Sequence, residues 1–130
     1  MKKTNEDPEL EFELQEVYLT GKQWQSDLSF LEEESNFLAG QLSAPYPPAI
    51  APPSQHNLAA RLANARDIQG GIRIKLDNFI QHLELLLLVT EPEPDLALLE
   101  DFVALQAAVR DALDVLKGIK YALVEARRAA

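Results

Sequence analysis

Residues 10–42 read LEFELQEVYLTGKQWQSDLSFLEEESNFLAGQL, and apolar or small side chains recur through them at Leu10, Leu14, Val17, Gly21, Trp24, Leu28, Leu31, Ser35, Leu38 and Leu42. The spacing alternates between four and three, which is the seam of a helix packed along its whole length against other helices. Just upstream, Asp7, Pro8 and Glu9 supply an N-cap, a proline suited to the first helical position and an acid for the positive end of the helix dipole. A first helix over about 8–42 is therefore expected, roughly 50 Å long at 1.5 Å per residue. Pro45 disfavours helix at Ala44 and sets its end.

Residues 43–53 hold Pro45, Pro47, Pro48, Pro52 and Pro53, five of the eight prolines in the chain. As stiff extended chain they span at most about 34 Å, too short to return to the far end of the first helix. The second helix must start beside the end of the first and run antiparallel to it. Ser54 is a suitable N-cap, and Leu58, Leu62, Ala65, Gln69, Ile72, Leu76, Phe79, Leu83, Leu86 and Thr90 repeat the same spacing over 54–90. Gly70-Gly71 interrupts this helix at a cost of roughly 1 kcal/mol per glycine relative to alanine. The pair predicts one bent helix, with a true break, and hence a four-helix bundle, as the alternative. The run Leu83 to Val89 is apolar almost all round, as for burial on several sides.

Glu91-Pro92-Glu93-Pro94-Asp95 is long enough only for another reversal. A third helix over 95–128 follows, with a stripe of Phe102, Leu105, Val109, Ala112, Leu116, Ile119, Leu123 and Ala126, widened by Leu99 and Leu113. The fold expected is all-α: a single domain over 1–130 forming an elongated up-down-up antiparallel three-helix bundle.

If the first two helices fold evenly about the proline segment, residues whose numbers total about 97 lie at one height. Glu32, Glu33 and Glu34 then stand level with Arg61 and Arg66. Folding about Pro92 likewise sets Arg73 and Lys75 level with Asp111 and Asp114, and Asp67 level with Lys117 and Lys120. Exposed pairs of this kind contribute only about 0.2 to 1 kcal/mol each, so they bear on register more than on stability.

The formal charge of -9 repels phosphate backbones, and the basic residues are scattered among acids, so no nucleic-acid partner is expected. No stretch has the roughly 20 apolar residues of a membrane span. The polar start Met1-Lys2-Lys3-Thr4 lacks the apolar core of a secretory signal, which leads to the expectation of a cytoplasmic protein. There is no cysteine, hence no thiol nucleophile, thiolate ligand or disulfide. Neither of the two histidines, His56 and His82, follows a glutamate by three residues, so the Glu-x-x-His pattern of di-iron bundles is missing. Gly70-Gly71 follows a helical segment and lacks the pattern of a phosphate-binding loop. No catalytic residue, metal site or cofactor is therefore assigned.

An aromatic excess remains. Phe30 and Phe37 lie one heptad apart on the flank of the first helix, and Phe12 and Leu19 repeat likewise on its outer side, beyond what one seam explains. One explanation is that Tyr46 and Ile50 of the proline segment fold back over Phe30 and Phe37. The functional one is a second packing surface of Phe30, Phe37, Phe12 and Leu19, used for a homodimer or for another protein. A different class of function is an apolar ligand pocket between helices beside Trp24, at the height of Gly70 and Gly71.

Overall fold

The computed structural model describes residues 3–43, 52–89 and 96–129, and the side chains of the first helix from residue 12 onward. Helix α1 spans Lys3–Ser43, α2 Pro52–Leu87 and α3 Leu96–Ala129. They pack as the expected all-α, up-down-up three-helix bundle. At 41 residues, α1 is a rod of roughly 60 Å.

Helix ends depart from expectation for local reasons. The first helix starts at Lys3, so Pro8 lies inside it and forgoes one backbone hydrogen bond instead of opening it. Its last carbonyls find side-chain donors: Ser43 Oγ donates to the Ala39 carbonyl at 2.9 Å, and Gln55 Nε2 to that of Leu42 at 2.6 Å. The second helix starts at Pro52, two residues before Ser54, because a proline with fixed φ and no N–H suits a first turn whose N–H groups lack helical partners anyway. It closes at Leu87, short of residue 90, with Leu88 and Val89 N–H groups donating to the Leu85 and Leu86 carbonyls in a tightened last turn.

The break at Gly70-Gly71 does not occur. Helix α2 runs through both glycines in one piece, so the four-helix alternative is set aside. Nothing lies within 4 Å of a Cβ built on either glycine, so neither marks a close helix approach. That role belongs to Gly21, where a Cβ would stand 3.0 Å from Ile80 Cδ1.

The seams form the core. Leu14, Trp24, Leu28, Leu31, Leu38 and Leu42 of α1 meet Leu58, Leu62, Ala65, Ile72, Leu76, Phe79, Ile80 and Leu83 of α2, and both meet the stripe of α3 from Leu105 to Leu123. In α3 the buried first-turn residue is Leu98, whereas Leu99, expected to widen the stripe, is exposed. Burial of the Leu83 to Val89 run is likewise narrower than its composition suggests: Leu83 is buried, Leu86 and Leu87 are half-buried, and Leu85 and Leu88 are exposed.

Register is the larger correction. Ser35 meets Gln69, where an even fold about the proline segment sets it against Leu62. Tyr18 with Glu84, Gln25 with Asp77 and Asn36 with Arg66 lie five residues from the even register and Ser35 with Gln69 seven, a slip of about 8 to 10 Å of helix. A seven-residue seam is nearly degenerate under such a slip, because leucine meets leucine either way. In the even register Ser35 would face Leu62 and Gln69 would face Leu28, leaving two buried polar groups without partners. The observed register brings them together. Between α2 and α3, Phe79 meets Phe102, about four residues from the even-fold partner.

The ion pairs follow the new register. Glu32 is held by Arg73 at 2.7 Å, not by Arg61 or Arg66, and Arg73 also donates to Ser29 Oγ at 2.9 Å. Arg66 donates to Asn36 Oδ1 at 2.8 Å. Lys120, expected opposite Asp67 of α2, instead reaches Glu34 of α1 at 3.0 Å. The acidic run of α1 is thus met from both neighbouring helices.

Candidate functional site

Two surfaces use the residues singled out by the sequence. The first is the outer face of α1. Its seam points at α2 and α3, and the residues beside the seam complete these contacts. Tyr18, Gln25 and Glu32 bond to Glu84, Asp77 and Arg73 of α2. Glu34 and Gln41 bond to Lys120 and Arg127 of α3. What is left faces away from the bundle, and there stand Phe12, Leu19, Phe30 and Phe37, exposed to 63, 60, 60 and 63%. At 100° per residue all four fall within about 20° of one line along the helix. Three phenylalanines and a leucine in open water form a single stripe roughly 37 Å long. The covering of Phe30 and Phe37 by Tyr46 and Ile50 falls outside the described residues.

Exposed apolar residues also stand elsewhere. Leu85, Leu88, Val89, Leu96 and Leu99 lie close to residues 90–95, whereas Ile68 and Ile74 of α2 and Val103, Val115, Tyr121 and Val124 of α3 are exposed along the bundle.

The second surface is a groove of about 740 Å³ between α2 and α3, lined by Ile72, Phe79 and Leu105 within and by Lys75, His82 and Asp101 among its polar groups. It exists because Gly71, Ala104 and Ala108 leave a trough where larger side chains would fill the space. Gly71 is on it, Gly70 and Trp24 are not. This groove therefore takes up one of the three residues expected to form a pocket. Trp24 is a core residue, its ring 5.0 Å from that of Phe102, which lies 6.2 Å from the ring of Phe79 on the groove wall. The indole thus connects to the groove through two aromatic neighbours.

Electrostatics at the α1–α2 border are local. The Tyr18 hydroxyl donates to Glu84 Oε2 at 3.0 Å. That bond, then partial loss of water and the nearby negative charge, raises the phenol above its ordinary value. Arg73 is raised further by its hydrogen bond to Glu32, against a smaller opposing effect of burial. His56 and His82 stand 26 residues apart on α2, about 39 Å along the helix, so they share no site. Among the described residues no group of three or more histidines, aspartates or glutamates is placed to hold a metal ion. No helix is long and apolar enough to cross a membrane, again among the described residues.

The aromatic pattern of α1 was legible from the sequence, residue by residue. The groove was not, since it depends on which faces of α2 and α3 meet. A signal existed in Gly71, Ala104 and Ala108, but small residues become a trough only once the register is known.

No protein family, no curated protein and no solved structure matches this chain.

Proposed function

We propose that this chain works by protein–protein association through the outer face of α1, without catalytic chemistry of its own, joining a second copy of itself or a helix of another protein. One observation carries this: Phe12, Leu19, Phe30 and Phe37 are exposed along one line of a helix whose core-facing residues are already packed, in two pairs with Gln23 and Ser26 between them. Leaving large aromatic side chains in water gains the monomer nothing, since burial of each is worth roughly 1.5 to 3 kcal/mol. Aligned apolar residues of this kind mark interaction surfaces. The setting proposed for this association is the cytoplasm.

The test is the double variant Phe30→Glu/Phe37→Glu. Sedimentation across a concentration series, together with capture from the source cells, should show a self-associated mass or a bound protein that the variant loses. A wild type that stays monomeric and holds the same proteins as the variant would overturn the proposal.

The α2–α3 groove supports a second reading, a bundle that holds a small apolar molecule. Its volume and its walls of Ile72, Phe79 and Leu105 suit such a ligand. Titration with apolar compounds should then shift Trp24 emission through Phe102 and Phe79, and a flat titration counts against it.

A further inference from the structure

The α1 stripe has a symmetry of its own. Its members are spaced by seven, eleven and seven residues, so Phe12 mirrors Phe37 and Leu19 mirrors Phe30 about the midpoint between residues 24 and 25. Eighteen residues make five turns of an α-helix, so this spacing keeps the stripe straight instead of winding it around the rod. A two-fold interface is built by one patch meeting itself, with residue i on j and j on i. The stripe satisfies that condition when two copies of α1 lie antiparallel.

Charge separates this arrangement from a parallel one. The N-terminal half of α1 carries Glu6, Asp7, Glu9, Glu11, Glu13 and Glu16 against Lys3 and Lys22. Alongside it stand Glu84 of α2 and Glu100 and Asp101 of α3. At the other end the charges nearly balance: Arg61, Arg66 and Arg73 of α2 and Arg110, Lys117, Lys120, Arg127 and Arg128 of α3 stand with Glu32, Glu33 and Glu34 of α1, Asp67 of α2 and Asp111, Asp114 and Glu125 of α3. Glu32 and Glu34 are already paired within the bundle, by Arg73 and Lys120. The bundle is thus acidic at one end and close to neutral at the other. Parallel packing stacks acidic end on acidic end. Antiparallel packing keeps the two acidic ends apart by setting each beside a near-neutral one, and opposes the two α1 dipoles as well.

We infer that the occupant of the α1 stripe is a second copy of this chain, packed antiparallel, with Phe12 against the partner copy's residue 37 and Leu19 against its residue 30. This dimer presupposes the associating role proposed for α1. The centre of the contact holds Gln23 and Ser26, both exposed and neither bulky enough to hold the helices apart. Glu16 comes level with the partner copy's residue 33, an acid against an acid, which weakens the contact. A stripe roughly 37 Å long on a helix 10 to 12 Å wide buries on the order of 800 Å² in total, below the roughly 1,200 Å² of stable complexes. The dimer is accordingly weak and reversible, and forms as concentration rises.

The chain has no cysteine, so one introduced thiol carries one spin label. Gln23→Cys lies beside the two-fold axis. Gly40→Cys is exposed with nothing within 4 Å of its Cβ, so it disturbs no contact. In the antiparallel dimer, electron–electron distance measurements on concentrated protein should give a short separation for the Gln23 label and about 45 Å for the Gly40 label, from 1.5 Å per residue. Both should vanish in the Phe30→Glu/Phe37→Glu background. Short distances at both positions mean a parallel dimer, which overturns this arrangement and leaves association through α1 intact. A dimer whose Gln23 labels are far apart overturns both, because α1 is then not the contact. A protein that remains monomeric at every concentration overturns the second copy as occupant, while a partner lost on Phe30→Glu/Phe37→Glu substitution would still uphold α1 as the associating face.

Discussion

Ser35 and Gln69 meet inside the bundle, at 0 and 2% exposure, and satisfy each other: Gln69 Nε2 donates to Ser35 Oγ at 2.9 Å, and Ser35 Oγ donates to Gln69 Oε1 at 3.2 Å. They are the buried polar residues of the described core. Each excludes registers in which the other is absent, the role a buried polar residue plays in specifying coiled-coil register.

Removing one member of this pair strands the other. Ser35→Ala should destabilise the bundle by about 1 to 3 kcal/mol, the cost of a buried amide deprived of its partner. The double variant Ser35→Ala/Gln69→Leu should recover most of that loss, giving a coupling of about 0.5 to 3 kcal/mol in a denaturant double-mutant cycle. Labels at Gln25 and Asp77 should report one α1–α2 distance in the wild type and a second, slipped population in the double variant. Additive single effects would show that the pair is not coupled.

Gly70 and Gly71 sit mid-helix with open space around the built Cβ. Gly71→Ala and Gly70→Ala should each therefore stabilise the fold, by about 0.4 to 1 kcal/mol. Gly21→Ala should gain less, since its methyl would press on Ile80 Cδ1 at 3.0 Å. Thermal unfolding of the three variants gives the order directly, and a loss of stability at Gly71 would show that the glycine serves something other than the helix.

Tyr18 should make the stability of the fold fall in alkali. Its bond to Glu84 favours the protonated phenol, so the folded value is raised. The stabilisation is fully present below the unfolded tyrosine value of about 10 and is lost as pH rises through the raised folded value. Tyr18→Phe removes this contribution. The stability difference between wild type and variant should hold steady from pH 7 to about 9 and narrow above about 10. A difference that stays constant to pH 11 would exclude the bond as its source.

Arg73 joins α2 to both Glu32 and Ser29 of α1 at a partly exposed site. Arg73→Ala should cost up to about 1 kcal/mol, and the cost should shrink with added salt because water and ions screen such pairs. Equilibrium unfolding at low and high ionic strength measures both. A cost that salt leaves unchanged would point to lost packing of the arginine stem instead.

Helix number, type and direction were legible because they depend on short-range signals. The period of Leu14, Trp24, Leu28 and Leu31 belongs to helix alone, and proline segments shorter than the rods force antiparallel order. Leu98 and Leu99 show where such reasoning ends. Both fit an apolar face, and a rotation of one residue decides which is buried. The exposed stripe of α1 was legible for the same reason the core was, since Phe12, Leu19, Phe30 and Phe37 lie off the seam whatever the seam packs against.

By itself, then, the sequence determined three long helices, their up-down-up order, the seams they bury and the aromatic face that α1 leaves over. Tertiary structure decided the register, and with it every specific partner: Arg73 for Glu32, Lys120 for Glu34, Phe102 for Trp24, and the trough at Gly71. The physical reason is that hydrophobic burial is non-directional and a heptad seam repeats every seven residues, so apolar contacts alone barely distinguish one register from the next. Discrimination passes to directional interactions between specific groups. Here that is chiefly the hydrogen bonding of Ser35 to Gln69, which forms when the two helices are aligned as observed.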